Sequence, residues 1–327
     1  MLATMLAGCS GGSEPGALRL GYFPNITHAQ PLYGVQSGLY AEKMAGVKLT
    51  TMTFNAGPEA FQALLSNSVD VIYVGPSPIL NALDHGGNDI VRIVAGSAMG
   101  GASFVVRPGV MLEPDSALAG KTFATPQEGN TQDIALKHWL RQHGENPTDR
   151  GGNVEVRYAQ NSDILAMFQK GDIDGAWVPE PWATRLVLEA RGVVHVDEAS
   201  LWNATGGKFI TTQVVTTPEF LRSHPTEIAK LLDAHLAATQ RLQTMDAATL
   251  RTINDAIEAI TKKRLGDETL RQAAAKVTFS TDPLQPALLT LSQWSHELRY
   301  AKGPAPDAGV VYDLAPLNAA RARAGLT

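Results

Sequence analysis

Val69-Asp70-Val71-Ile72-Tyr73-Val74-Gly75-Pro76-Ser77-Pro78 holds the grammar of the whole chain in one short run. A β-branched, apolar stretch stops at a glycine. A proline then follows, where the first turn of a helix has no use for its missing N–H, and Ser77 can cap or donate. The run predicts a strand at 69–74 and a short helix at 77–84. The same alternation extends outward: strands at 17–23 and 47–54, helices at 27–42 and 58–67, and a further strand at 90–95. Strands separated by helices of this length imply parallel pairing with right-handed crossovers, hence an open α/β sheet.

A second series begins after Pro108, with strands at 121–124, 153–157 and 173–178 and helices at 131–143, 163–170 and 182–191. From Pro218 onward the pattern is almost wholly helical, at 218–222, 226–244, 247–263, 267–276 and 283–301. Ile228, Leu231, Leu232, His235 and Leu236 fall on one apolar stripe. Two extended, β-branched segments, 103–107 and 209–217, join the units without a Gly/Ser linker. If the second unit is inserted into the first, these runs cross between two lobes and suit a hinge; otherwise they are successive strands of two independent domains. The insertion reading gives a tether at 1–16, one lobe from 17–106 plus 215–327, and a second lobe at 107–214.

The chain has 327 residues, too many for one ordinary core and enough for two domains. Its net charge is −5, with no basic run interleaved with aromatics, so the footprint of a nucleic-acid binder is missing. No stretch approaches the roughly 20 apolar residues that span a bilayer.

The single cysteine, Cys9, stands in Leu6-Ala7-Gly8-Cys9-Ser10-Gly11-Gly12-Ser13. That pattern resembles a lipobox, in which a cysteine behind small residues is the lipid acceptor; a tolerated cysteine in a tail is the alternative. Residues 10–16 read as a flexible tether. Only eight residues precede Cys9 and none is Lys or Arg, so the basic and most of the apolar part of an export signal are missing. A start placed too far downstream would account for that.

In open α/β sheets ligands bind beyond the carboxyl ends of the strands, where helices begin. The junctions here are uniformly rich in Gly, Pro, Ser, Thr and Asn: around Pro24–Thr27, Gly57, Gly75–Ser77, Met99–Gly100, Asn130–Gln132 and Glu180–Trp182. Several helix N-termini aimed at one point can hold an anion on neutral N–H groups without a buried cation. Ordinary capping yields similar composition at any one junction. No GxGxxG follows the first strand, no P-loop or GxSxG elbow occurs, and the eight histidines lack metal-ligand spacing. An enzyme on the same scaffold is therefore only a remote alternative, and no cofactor or metal is expected.

Taken in order, these segments resemble the nitrate/taurine/aliphatic-sulfonate (NitT/TauT, SsuA-like) family of ABC-transporter substrate-binding proteins. The likeness rests on Leu20-Gly21-Tyr22-Phe23-Pro24-Asn25-Ile26-Thr27-His28, Phe54-Asn55-Ala56-Gly57-Pro58-Glu59, the 69–78 run, Gly129-Asn130-Thr131-Gln132-Asp133, and Gly171–Trp182 with its Trp177-Val178-Pro179-Glu180-Pro181-Trp182 end. The resemblance implies a type II periplasmic-binding-protein fold, two α/β lobes around a cleft with two crossover strands and a helical C-terminal region. It implies a small organic anion as cargo (an alkyl- or aminosulfonate such as taurine, or nitrate, bicarbonate or a thiamine-precursor pyrimidine). It further implies a membrane permease and ATPase as partners, a monomer, and a place on the extracytoplasmic face of the membrane. The matching site positions are Asn25, Thr27, His28, Gly57, Gly75 and Ser77 in the first lobe and Met99 and Gly100 near the crossover. Asn130, Thr131, Gln132, Trp177, Glu180 and Trp182 come from the second lobe. The acid group is expected on donors around Ser77 and Thr131, with Trp177 and Trp182 walling the organic body. His28 either caps its helix or bonds the ligand, and Trp182 is either buried or in the cleft. Glu180 faces solvent or a closing partner, or else faces the cleft and calls for a cationic group on the cargo. Lys208 pairs with Glu180 or the anion, or is simply exposed.

Overall fold

The computed structural model describes residues 14–326; Cys9 and its lipobox lie outside them. The chain runs β1 (Ala17–Tyr22), α1 (Ala29–Gln36), α2 (Leu39–Lys43), β2 (Lys48–Thr53), α3 (Gly57–Leu65), β3 (Val71–Val74), α4 (Pro76–Gly86), β4 (Arg92–Gly100), β5 (Ala102–Val106), β6 (Thr122–Thr125) and α5 (Thr131–Gln142). It continues with β7 (Glu155–Tyr158), α6 (Asn161–Lys170), β8 (Gly175–Pro179), α7 (Trp182–Ala190), β9 (Val193–Asp197) and β10 (Ile210–Thr216). The last part holds α8 (Pro218–Ser223), α9 (Pro225–Leu242), α10 (Ala247–Thr261), α11 (Asp267–Ala275), β11 (Val277–Phe279), α12 (Gln285–Glu297), α13 (Ala308–Val311) and α14 (Ala315–Arg323).

Two sheets form, one in the order β11-β4-β10-β3-β1-β2 and the other β7-β6-β8-β5-β9. Each is covered by helices on both faces. Strand β3 shows why its residues are apolar throughout: Val71 and Tyr73 join the core beneath α1, α9 and α10, while Ile72 and Val74 join the core beneath α3, α4 and α12. The second sheet does the same, with Phe104 and Trp139 on one face and Val105, Leu165 and Leu186 on the other. The expected stripe on α9 is buried along its whole length.

The sheets are mixed, not wholly parallel as the sequence implies. β10 runs antiparallel to β3 and β4, and β5 runs antiparallel to β8 and β9. The strands that follow a crossing enter each sheet from its far end and must point against the strands already there. The expected crossing runs do not themselves cross. β5 lies wholly in the second sheet and β10 wholly in the first. The chain changes sheet at Gly100–Gly101, and again through two 3-10 turns, Glu198–Leu201 and Asn203–Thr205. Of the expected lobe limits, 106/107 falls at the far end of β5 and 214/215 within β10. The single helix expected over 27–42 is broken into a 3-10 turn, α1 and α2, because Gly38 takes φ 81° between the two α-helices. Two edge strands, β9 and β11, are not among the expected strands; each is short and follows a helix directly, although Val193, Val194 and Val196 are a β-branched signal for the first. Among the described residues no helix is long and apolar enough to cross a membrane, and no cluster of three or more His, Cys, Asp or Glu could hold a metal ion.

Candidate functional site

Between the two sheets lies a narrow cleft of about 30 Å³, lined almost entirely by strand ends and helix starts. The first lobe supplies Phe23, Asn25, Thr27 and His28 after β1, Asn55 and Gly57 before α3, Gly75 and Pro78 at α4, and Thr211 from β10. The second supplies Pro126 after β6, Asn130, Thr131 and Gln132 at α5, Asn161 at α6, and Pro179 at the end of β8. Prolines at or next to the first helical position of α3 and α4 fix those starts. The N-termini of α3, α4, α5 and α6 thus open on one space, and none of the described lining residues carries a charge. Each N-terminus presents unpaired N–H groups and a partial positive charge.

The side chains are arranged to keep donors available. Asn130 caps α5 by accepting from the Asp133 N–H at 2.8 Å, and its amide nitrogen donates to Gln132 Oε1 at 3.2 Å. That leaves the Gln132 amide nitrogen directed elsewhere. Asp133 is fully buried one turn into α5, where its charge could oppose an anion, but it accepts from Lys137 Nζ at 2.8 Å and from the Gly129 N–H at 2.8 Å. Lys137 in turn donates to the hydroxyls of Tyr158 (2.8 Å) and Tyr300. His28 is buried against Phe23, and burial pushes its pKa down to about 3, so the ring is neutral at physiological pH. Its Nδ1 accepts from the Phe23 N–H at 3.4 Å, which leaves Nε2–H as the donor. A depressed imidazole destabilises the fold only as pH falls below about 6.5, where the unfolded ring takes a proton that the folded one refuses.

The lobes touch across the cleft. A Cβ added to Gly75 would sit 2.5 Å from Thr131 Oγ1, and Trp182 Nε1 donates to Asn25 Oδ1 at 2.9 Å.

Eight of the expected positions line this cleft: Asn25, Thr27, His28, Gly57, Gly75, Asn130, Thr131 and Gln132. Six do not. Trp177 sits mid-strand in β8, stacks on Phe104 and donates to Glu198 at 2.7 Å, so it belongs to the core of the second lobe. Ser77 turns into a neighbouring chamber beside Gln127–Gly129, where its hydroxyl has no partner. Met99 and Gly100 are held in β4 between β10 and β11. Trp182 lines an outer chamber, under the Arg185 guanidinium. Glu180 is fully buried, accepts from the Thr184 N–H at 3.0 Å and pairs with Lys276 at 2.9 Å. Lys208 is exposed and takes no part in that pair. Sequence reasoning overlooked Asn161 and Thr211, whereas Phe23, Asn55, Ala56, Pro78 and Pro179 stand in the motifs quoted above without being candidate positions. Asn161 starts α6 two residues earlier than expected, and Thr211 comes from a strand that the pattern treats only as a crossing.

A family model described as the NMT1-like family matches residues 11–257. The taurine-binding periplasmic protein of Escherichia coli K12 is 28% identical over 218 residues, covering 65% of this chain and 63% of that protein. A protein named as a putative aliphatic sulfonates-binding protein from the same organism is 25% identical over 62% of this chain and 60% of its own length. The chain thus spans somewhat under two thirds of these relatives. Among solved structures, the alkanesulfonate-binding protein SsuA of Xanthomonas axonopodis pv. citri bound to MOPS superposes with a TM-score of 0.70 at 19% identity, covering 92% of this chain and 98% of that one. The periplasmic nitrate-binding protein NrtA of Synechocystis PCC 6803 gives 0.77 at 14% identity, covering 95% and 90%. The fold is the two-lobed periplasmic-binding-protein architecture of these structures.

Proposed function

Because this chain belongs to the NMT1-like family, we propose that it is an extracytoplasmic solute-binding protein of an ABC importer that captures a small organic anion by lobe closure. One observation carries the reading: four helix N-termini from both lobes converge on a cleft of amides and hydroxyls with no charged side chain among its described lining. Such a surface stabilises negative charge through fixed N–H dipoles and leaves no counter-charge for a cation. The cargo is therefore a sulfonate-type oxyanion without an ammonium group. Glu180, the carboxylate that could have received an ammonium, is occupied by Lys276 instead. This argues against taurine itself. Nitrate or bicarbonate is the second reading, favoured by the small volume of the cleft.

The remaining parts of the reading follow the family. We place the lobe boundaries at the sheet changes near residues 101 and 209, with a membrane permease and ATPase as partners and a monomer as the working form. Cys9 is proposed as a lipid anchor on the outer face of the membrane.

Titration calorimetry with methanesulfonate, taurine, nitrate, bicarbonate and acetate tests the proposal. One-to-one binding of methanesulfonate, with taurine weaker, is the expected result; silence across the whole panel removes the reading. Thr131→Val, which keeps shape and deletes one hydroxyl at the helix start, should cost about 2 kcal/mol of binding, roughly thirtyfold. A variant that binds methanesulfonate as well as the parent would exclude Thr131 from the site.

A further inference from the structure

The lobes also enclose a cavity of about 450 Å³ that shares no described lining residue with the cleft. Its second-lobe wall is the later part of α5 and the turn around Asn146 and Arg150; its first-lobe wall is the end of α12, residues 297–300. Where the cleft offers neutral donors, this cavity offers charge. Lys137, Arg141, Arg150 and Arg299 line it, with Glu297 as the one acid among its described lining. The whole chain carries −5, so this excess of cations is local. Two of the arginines tie the lobes together. Arg141 donates to the Glu297 carbonyl and Arg150 to the Leu298 carbonyl at 3.1 Å, at the end of α12 where carbonyls lack intrahelical partners. Arg150 also lies over the Tyr300 ring, and Lys137 is neutralised by Asp133. Capping accounts for Arg141 and Arg150 but not for Arg299. That residue is exposed, takes φ 58° where glycine is favoured, and its guanidinium has no hydrogen-bond or ion-pair partner among the described residues. Nor does Glu297 answer it: that carboxylate accepts from Gln293 at 3.1 Å and lies 3.8 Å from His138.

We propose that this cavity is a second anion site, separate from the cargo cleft, that takes a multivalent phosphate-bearing ligand and ties the lobes through it. Arg141 and Arg150 each keep further N–H donors beyond their carbonyl bonds, and a guanidinium fork matches phosphate oxygens in pairs. Three guanidinium groups with no ion pair to Glu297 among the described residues favour a ligand of more than one negative charge. Such a ligand would bridge Arg141 and Arg150 of the second lobe to Arg299 of the first. Lys137 and Arg141 lie on α5, whose first residues, Thr131 and Gln132, stand in the cleft. An ion that holds the two walls together therefore favours the arrangement that encloses the cargo, and by reciprocity it should tighten cargo binding. The tightening rests on the sulfonate reading above; the site itself does not.

The experiment is calorimetry with pyrophosphate, at an ionic strength held constant with sodium chloride, on the parent chain and on Arg299→Gln. One-to-one binding by the parent that weakens about tenfold or more in Arg299→Gln supports the site. Arg141→Gln removes a second guanidinium and serves in its place if Arg299→Gln does not fold. Absence of binding, or equal binding by the parent and both variants, overturns the proposal. So does binding that falls in Thr131→Val but not in Arg299→Gln, because the ion would then sit in the cleft. Vesicles of phosphatidic acid in phosphatidylcholine separate the two sources of phosphate. Sedimentation of the parent but not of Arg299→Gln assigns the site to a lipid headgroup, and pyrophosphate binding without sedimentation assigns it to a soluble ligand. Methanesulfonate titrated with and without saturating pyrophosphate tests the tie between the lobes. Tighter binding with pyrophosphate supports it, and unchanged or weaker binding overturns the tie. Silence of methanesulfonate in both conditions removes the sulfonate reading and the tightening with it, but not the site.

Discussion

The two places where the chain passes between sheets are built from opposite materials. The first is a link of two glycines, Gly100 and Gly101, with φ of 75° and 71°. Beside it the buried Glu180 donates its backbone N–H to the Gly101 carbonyl at 2.8 Å, and its carboxylate accepts from Lys276 Nζ. The second is longer, two 3-10 turns wedged by aromatics. Trp202 stacks on Phe209 and packs against Trp294, and the buried Glu198 accepts from Trp177 Nε1 at 2.7 Å and Trp202 Nε1 at 3.4 Å. Each crossing therefore buries a carboxylate completely. At the first, a cation answers the charge. At the second, among the described residues, only two indole N–H groups do, and burial pushes the Glu198 pKa up to about 7. The same burial is thus compatible with two electrostatic solutions, one a fixed charge pair and the other a group poised to take up a proton near neutrality.

The largest expected break in this comparison is Lys276→Met, which strands Glu180. Removing one partner of a buried pair costs about 3–5 kcal/mol; the Lys276 side chain is 39% exposed, which sets the expectation near the lower end, about 3 kcal/mol. An unchanged melting temperature would show that the pair does not brace the crossing.

Glu198 sharpens the contrast through its pH dependence. Its folded-state pKa lies above the ordinary glutamate value near 4.5, so between about pH 4.5 and 7 the folded protein keeps a proton that the unfolded chain releases. Its contribution is fullest below pH 4.5 and is lost as pH rises through 7, an amplitude on the order of 2–3 kcal/mol. His28 and His235, whose pKa values burial depresses to about 3 and 4, act in the opposite direction. The parent must therefore be compared with Glu198→Gln by denaturant unfolding from pH 5 to pH 8. Parallel curves for the two proteins would refute the assignment of that slope to Glu198.

The smallest expected effect belongs to the glycine link. An alanine at Gly100 must hold a left-handed conformation with its Cβ 2.8 Å from the Lys276 carbonyl oxygen, costing about 2 kcal/mol. Chemical denaturation of Gly100→Ala measures it, and a loss under half that size would mean the link relaxes without strain.

The junctions were legible in the sequence where their chemistry is local. Gly57-Pro58 and Gly75-Pro76 announce a strand ending and a helix beginning, and Asn130-Thr131-Gln132 announces a cap, so the residues beside them could be assigned to strand ends. Trp177 failed because motif proximity ignores depth along a strand: it shares a face of β8 with Pro179 but lies two residues back from the carboxyl end that meets the cleft, so its side chain packs in the core. Glu180 failed for a different reason. Its cation is Lys276, which lies far along the chain in the helical segment, and no local pattern ties the two.

The sequence alone determined that this chain is α/β, where most of its helices start, and that those starts are rich in neutral donors, because caps and turn residues act over a few positions. Tertiary structure decided which starts face one another, which way the crossing strands run, that the buried acids are answered within the fold, and that a larger chamber adjoins the cleft. Those outcomes depend on contacts between residues far apart in the chain, whose free energies exist only once both lobes are assembled.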